Sequence, residues 1–204
     1  ALFDLSTEAT NISPLRSHHI LSFVRDIIAN GTEEFLQVCL RSVHNLIGQY
    51  GVVDEVDIAN HEVIAAIRIG TEVLSRLHNL DYVRDALVLL LHCAQPGVTC
   101  EGAAHEFINL DFIDVLERSK AIWSLDRQCR IYVSRLLWEL SKAEQFTKGT
   151  FLWDMDSIMC ACYQSEPLFE ICDNMAAQFL QHVLREGIPP ERLINLPIWS
   201  LLLR

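Results

Sequence analysis

A pattern of helical core positions recurs along this chain at nearly constant spacing. Each copy has a compact apolar residue, a larger aliphatic residue four positions later, and a third apolar residue three positions after that. The copies are Cys39, Val43 and Leu46; Ala86, Leu90 and Cys93; Val133, Leu137 and Leu140; and Ala176, Leu180 and Val183. Their last residues lie 47, 47 and 43 positions apart, a period typical of units of two or three helices. Since a helix that cannot bury its apolar stripe alone stacks on the next copy, this period predicts a fold of stacked helices.

Capping residues and helix breakers divide the sequence into helical segments. The predicted segments are 13–30, 32–48 (or to 51), 60–77, 81–94, 99–110, a short 111–119, 124–142 (or from 126), 154–164 (or from 156) and 165–187. No window shows the alternation of β-branched or aromatic residues with polar ones that a sheet requires. The sequence therefore predicts an all-α protein.

Composition and charge restrict the classes of partner. Apolar residues make up 50% of the 204 positions and the formal net charge is −11, so we expect one compact domain over residues 1–204. The negative charge disfavours nucleic acid, which is bound mainly through Lys and Arg. The longest apolar runs, such as 86–91, are far shorter than the roughly 18 residues of a membrane span, so no membrane partner is predicted.

The cysteines indicate a cellular location, and the chain ends indicate whether this domain is part of a longer protein. Seven cysteines cannot all pair within one chain, and most lie in apolar helical patterns, which favours reduced thiols and an intracellular location in the cytoplasm or the nucleus. The chain begins with Ala and closes on an apolar run at 196–203. We therefore expect it to be a domain of a longer protein.

Candidate metal and catalytic sites are incomplete. The strongest metal candidate combines four side chains whose spacing fits no zinc motif, namely His92, Cys93, Cys100 and His105. His61 and Glu62 begin a metalloprotease pattern, but Ala65 stands where the second His is needed. Acidic pairs at helix starts are explained by helix capping, and no nucleophile and base form a complete set. We predict no enzyme activity, no metal and no cofactor.

One copy of the repeat resembles a known family. Residues 133–141, with the sequence VSRLLWELS, resemble the third helix of an armadillo repeat, whose pattern ends in Leu-Trp-Asn-Leu-Ser, with Glu139 in place of the Asn. The copy at 42–47 keeps the Asn but not the Trp. The resemblance implies a right-handed α-solenoid of about four irregular armadillo- or HEAT-like repeats.

In such a solenoid the third helices line a concave side, where the positions next to each core residue face a partner. The predicted partner-binding residues are Arg41, His44, Asn45, His92, Arg135, Trp138, Glu139, Gln178 and His182. Asn and His side chains can hold a peptide backbone, Trp138 offers an apolar wall, and the arginines can pair with acidic side chains. The predicted function is a non-enzymatic scaffold or adaptor that binds a peptide or a helical segment of another protein.

Two alternatives stay open. One is a compact helical bundle that works by oligomerising, for example as a homodimer, and the other is a helical enzyme or metal-binding regulator. The apolar run near the C-terminus bears on the first, because it can cap the last repeat or form the dimer contact. Its key residues are Trp199, Leu201 and Leu202.

Overall fold

The computed structural model describes residues 33–48, 60–94, 103–143 and 151–162, together with residues 177, 181 and 185. The first four ranges contain seven helices and no strand, which confirms the all-α class for this part of the chain. The helices are α1 (Glu33–Gly48), α2 (Asn60–Arg76), α3 (Leu80–Ala94), α4 (Ala103–Asn109), α5 (Phe112–Trp123), α6 (Arg127–Ser141) and α7 (Phe151–Cys162). The helix predicted at 13–30 lies outside the described residues. Of the one predicted at 165–187, residues 177, 181 and 185 are described, and each is helical.

Side-chain caps set the starts of α3 and α6. Asp126 has an extended backbone, and its Oδ1 accepts a hydrogen bond from the Cys129 N–H at 2.8 Å, as expected of the residue that caps α6. The prediction that Asp81 caps α3 is wrong by two residues. The Asn79 side chain accepts from the Asp81 N–H at 2.9 Å and the Asn79 carbonyl from the Val83 N–H at 3.1 Å, so Asn79 is the cap.

Two further segments differ from their predicted bounds. Asp111 adopts a left-handed backbone (φ 48°, ψ 45°) that separates α4 from α5. Helix α5 then continues past Ser119, because the buried Trp123 ring packs in the core and its Nε1–H donates to the Leu116 carbonyl at 2.8 Å. Helix α7 begins at Phe151, three residues before the predicted cap at Asp154.

The helices pack so that α3 lies at the centre. It contacts α1 on one side and α6 on the other, and it forms a hairpin with α2 through the short connection 77–79. Helix α5 in turn contacts both α2 and α7. Helices α2 and α3 approach each other closely at Gly70, where a Cβ atom would lie 2.7 Å from Leu90 Cγ. A side chain at position 70 is therefore incompatible with the observed Leu90 position.

The aligned core positions are buried in three helices. None of the following side chains is more than 5% exposed: Cys39, Val43, Ala86, Leu90, Cys93, Val133, Leu137 and Leu140. They belong to α1, α3 and α6, the same helices that lie side by side. The core assignment of these eight residues is confirmed, while the fourth copy, Ala176, Leu180 and Val183, lies outside the described residues.

Candidate functional site

The predicted partner-binding residues lie on the three neighbouring helices α1, α3 and α6. Helix α1 carries Arg41, His44 and Asn45, α3 carries His92, and α6 carries Arg135, Trp138 and Glu139. Arg41 and Arg135 are exposed, and the other five are half-buried. The remaining predicted residues lie outside the described part of the chain, namely Gln178 and His182 of the same set and Trp199, Leu201 and Leu202 of the C-terminal run.

Two contacts join α1 to α3 on this surface. Arg41 Nε donates to Asp85 Oδ2 at 3.1 Å, and the imidazole rings of His44 and His92 meet edge to face with their centroids 4.9 Å apart. The two contacts follow the same order along both helices, from Arg41 to His44 in α1 and from Asp85 to His92 in α3.

The His44 imidazole is held in its neutral form. Its Nε2 is buried and has no hydrogen-bond partner within the described residues. Burial lowers the pKa of His44, the nearby His92 lowers it further, and the Asp85 carboxylate opposes both effects. His44 is therefore uncharged at neutral pH, beside the Arg41–Asp85 ion pair.

On α6, Trp138 contributes both to the core and to the surface. It is half-buried and packs against the buried residues, and Lys142 Nζ lies 5.3 Å from the centroid of its ring, within the range of a cation–π contact. The same ammonium is 2.6 Å from Glu139 Oε2, and the Glu139 side chain is 17% exposed. Neither Trp138 nor Glu139 is fully buried, so both retain surface for a partner.

Helices α3 and α6 are tied together at their N-terminal ends. Arg84 Nη2 lies 3.3 Å from Oδ2 of Asp126, the residue that caps α6. Burial alone would raise the pKa of Asp126, but hydrogen bonds from the Cys129 backbone N–H and thiol, together with the Arg84 guanidinium, lower it below its usual value. This carboxylate joins the capped start of one surface helix to the side of its neighbour.

Helix α7 is attached to α5 by a polar cluster. Lys120 Nζ contacts Ser157 Oγ and lies 2.5 Å from Glu117 Oε1, and Ser157 Oγ donates to that same oxygen at 3.0 Å. All three side chains are half-buried. The cluster fixes α7 beside α5 but lies outside the predicted binding residues.

Three of the described thiols are buried in the core, as their apolar helical patterns predict. Cys39, Cys93 and Cys129 are buried and form no disulfide in this part of the chain, whereas Cys172 lies outside it. Burial raises the pKa of Cys39. Burial and the Asp126 carboxylate raise that of Cys129 to about 12, although Arg84 opposes this. These three residues pack as small apolar side chains.

The described ranges contain neither a metal site nor a membrane-spanning helix. In those ranges no group of three or more His, Cys, Asp or Glu side chains could hold a metal ion, and Cys100 of the metal candidate lies outside them. None of the described helices is both long and apolar enough to cross a membrane.

Sequence reasoning missed two residues that shape the surface. Asp85 pairs with Arg41 across the α1–α3 contact. Predicting this pair requires knowledge of how far the two helices are shifted along each other, which no sequence pattern gives. Lys142 could have been found, since it follows Trp138 by four residues and Glu139 by three, the spacings at which helical side chains meet.

Comparison with known proteins gives no relative from which a function can be transferred. No family model, no curated protein and no solved structure matches this chain. The part of the chain that the structure describes is all-helical, with polar and aromatic side chains along three adjacent helices.

Proposed function

We propose that this chain is a right-handed α-solenoid of armadillo- or HEAT-like repeats that acts as a non-enzymatic scaffold. It binds a peptide or a helical segment of another protein on the face formed by α1, α3 and α6. This face is the concave side in the proposed stack, with the aligned core residues beneath it. The proposed location is the cytoplasm or the nucleus, where cysteines stay reduced.

The observation that carries the proposal is the shared register of the three helices. In every described copy the residue immediately before the last aligned core position is half-buried; these residues are Asn45, His92 and Glu139. The residue three positions before that same core position is fully buried; these residues are Val43, Leu90 and Leu137. Helix α3 contacts both α1 and α6. A repeat stack requires neighbouring helices that each bury one face in the shared core and leave the same positions on the opposite face accessible.

The surface suits a partner chain because its anchors are held in place before binding. Trp138 is fixed by the core beneath it, and His92 is fixed by the His44 ring. Rigid helices therefore present aromatic and polar side chains with little loss of conformational entropy on binding, which favours affinity. Half-buried aromatic residues of this kind are enriched among those that dominate binding energy.

The proposed shape is tested by small-angle X-ray scattering of the purified chain. A stack of about four repeats is longer than a compact bundle of the same mass, whose radius of gyration would be about 17 Å for 204 residues. We expect a clearly larger value with the mass of one chain. A value near that of the bundle would contradict the solenoid.

The proposed binding is tested by selecting peptides from a random display library on the immobilised chain. Enriched peptides are synthesised and their affinities measured for the native chain and for His92→Ala and Arg135→Ala, with Arg118→Ala on α5 as the control. We expect both surface variants to weaken binding by about tenfold and the control to have no effect. If no peptide is enriched, or if all variants bind equally, the proposed site is wrong.

A further inference from the structure

Helix α6 and the residue after it are basic in a chain that is strongly acidic overall. The chain has 16 Lys and Arg against 27 Asp and Glu. Within 127–142 the balance is reversed, because a single acidic residue, Glu139, accompanies four basic ones. These four are Arg127, Arg130, Arg135 and Lys142.

Three of these cations alternate with apolar side chains along one line. The line runs Arg127, Ile131, Arg135, Trp138 and Lys142, and we call these five residues the basic stripe. Successive members are four or three residues apart, so all of them fall on one side of the helix. The stripe spans about 22 Å at the helical rise of 1.5 Å per residue. Its three cations are exposed, while Ile131 and Trp138 are half-buried against the core.

Two of the cations lack a counter-charge inside the described molecule. Lys142 is paired with Glu139, but neither Arg127 nor Arg135 forms an ion pair or a hydrogen bond with any described residue. By contrast, Arg41, Arg68, Arg76, Arg84 and Arg118 are all paired with carboxylates. In an acidic protein, exposed guanidinium groups left over in this way are available to an acidic ligand.

We infer that the basic stripe binds an acidic amphipathic helix of a partner protein. Carboxylates of that helix would pair with Arg127 and Arg135, and its apolar residues would pack on Ile131 and Trp138. A helix fits because its side chains recur at the same three- and four-residue spacings as those of the stripe. Nucleic acid fits less well, since its affinity depends on many phosphates being neutralised by Lys and Arg, and the stripe has three cations with two apolar residues between them. The inference rests on the proposed function and assigns it a class of partner.

The test uses a synthetic amphipathic helical peptide with glutamates at heptad spacing and leucines between them. Binding to the full chain is measured by fluorescence anisotropy, beside a second peptide in which lysines replace the glutamates. We expect the glutamate peptide to bind and the lysine peptide not to bind. The affinity of the glutamate peptide should fall as the salt concentration is raised, because salt screens exposed charges. Arg127→Glu and Arg135→Glu should each weaken binding at least tenfold, whereas Arg118→Glu on α5 should leave it unchanged.

Other outcomes separate this inference from the proposed function. If library peptides bind through His92 but are not acidic, or if Arg127→Glu and Arg135→Glu have no effect, the inference is overturned and the proposed function stands. If neither library peptides nor the glutamate peptide bind, both fail. If the lysine peptide binds as tightly as the glutamate peptide, or if a single-stranded oligonucleotide displaces the glutamate peptide through the same arginines, the inference is wrong. Circular dichroism of each variant verifies that α-helix content is retained.

Discussion

The imidazole ring of His44 in α1 meets that of His92 in α3 edge to face, with the ring centroids 4.9 Å apart. The Asp85 carboxylate raises the pKa of His44, which opposes the effect of burial, and Arg41 pairs with that carboxylate at 3.1 Å. This contact therefore couples the packing of two neighbouring helices to the protonation of one imidazole. It also lies on the face proposed to bind a partner.

The His44 contact predicts a loss of stability on mild acidification. Because the folded chain lowers the pKa of His44 below the usual value of about 6.5, the unfolded chain binds its proton more readily. The contribution of neutral His44 to the free energy of unfolding should therefore be fully present above about pH 6.5 and should be lost as the pH drops below that value. We expect His44→Gln to flatten this fall in urea unfolding measured from about pH 7 to about pH 5.

A matched control separates His44 from histidines in general. His78 is exposed in the connection between α2 and α3, so His78→Gln should leave the pH dependence of the native chain unchanged. If the two variants show the same pH dependence, the His44 contact does not govern the acid response.

Close packing at Ala86 predicts a strong response to overpacking. Ala86 is fully buried on α3, which has α1 and α6 on its two sides, whereas Val88, one helical face away, is half-buried. Ala86→Trp should lower the free energy of unfolding by about 3 kcal/mol, since the added ring has no space. Val88→Gln should cost about 1 kcal/mol or less. Equal losses for the two variants in chemical denaturation would refute the core register.

The buried thiols predict slow chemical modification. Only the thiolate reacts, and a pKa of about 12 leaves almost none of it at Cys129 near neutral pH. We expect Cys39, Cys93 and Cys129 to be labelled by a maleimide only after unfolding, with the half-buried Cys160 reacting sooner. Peptide mapping by mass spectrometry gives the rate at each site. Rapid labelling of Cys129 in the folded chain would show that the start of α6 opens readily.

The helix pattern of this fold could be predicted from sequence more fully than its turns and its surface contacts. Helix α2 begins at Asn60, as predicted, and Asp126 marks the start of α6 because its side chain acts locally, on an N–H of the first turn. The left-handed turn at Asp111 could not be foreseen, since few residues other than glycine adopt that backbone. The core positions follow from the repeat. The pairing of Arg41 with Asp85 depends instead on how far two helices slide past each other, which is a property of the packed structure.

The close approach of Leu90 to Gly70 determines whether Gly70→Ala raises or lowers the free energy of unfolding. In an isolated helix Gly→Ala is stabilising by about 1 kcal/mol, but a Cβ at position 70 would lie 2.7 Å from Leu90 Cγ and 2.9 Å from its Cδ2. Leu90 is fully buried in the core, so any movement away from the new methyl group must displace its neighbours. We therefore expect Gly70→Ala to destabilise the native chain, by about 1 kcal/mol once overpacking exceeds the gain in helix propensity.

A double-mutant cycle isolates that contact. Leu90→Ala alone should cost about 2–5 kcal/mol because it leaves a cavity between α2 and α3. In that background the new methyl group at position 70 has room, so Gly70→Ala should now stabilise the chain by up to about 1 kcal/mol. The four free energies of unfolding come from urea denaturation of the native chain, both single variants and the double variant. If Gly70→Ala has the same effect in both backgrounds, the two helices do not approach each other at this point.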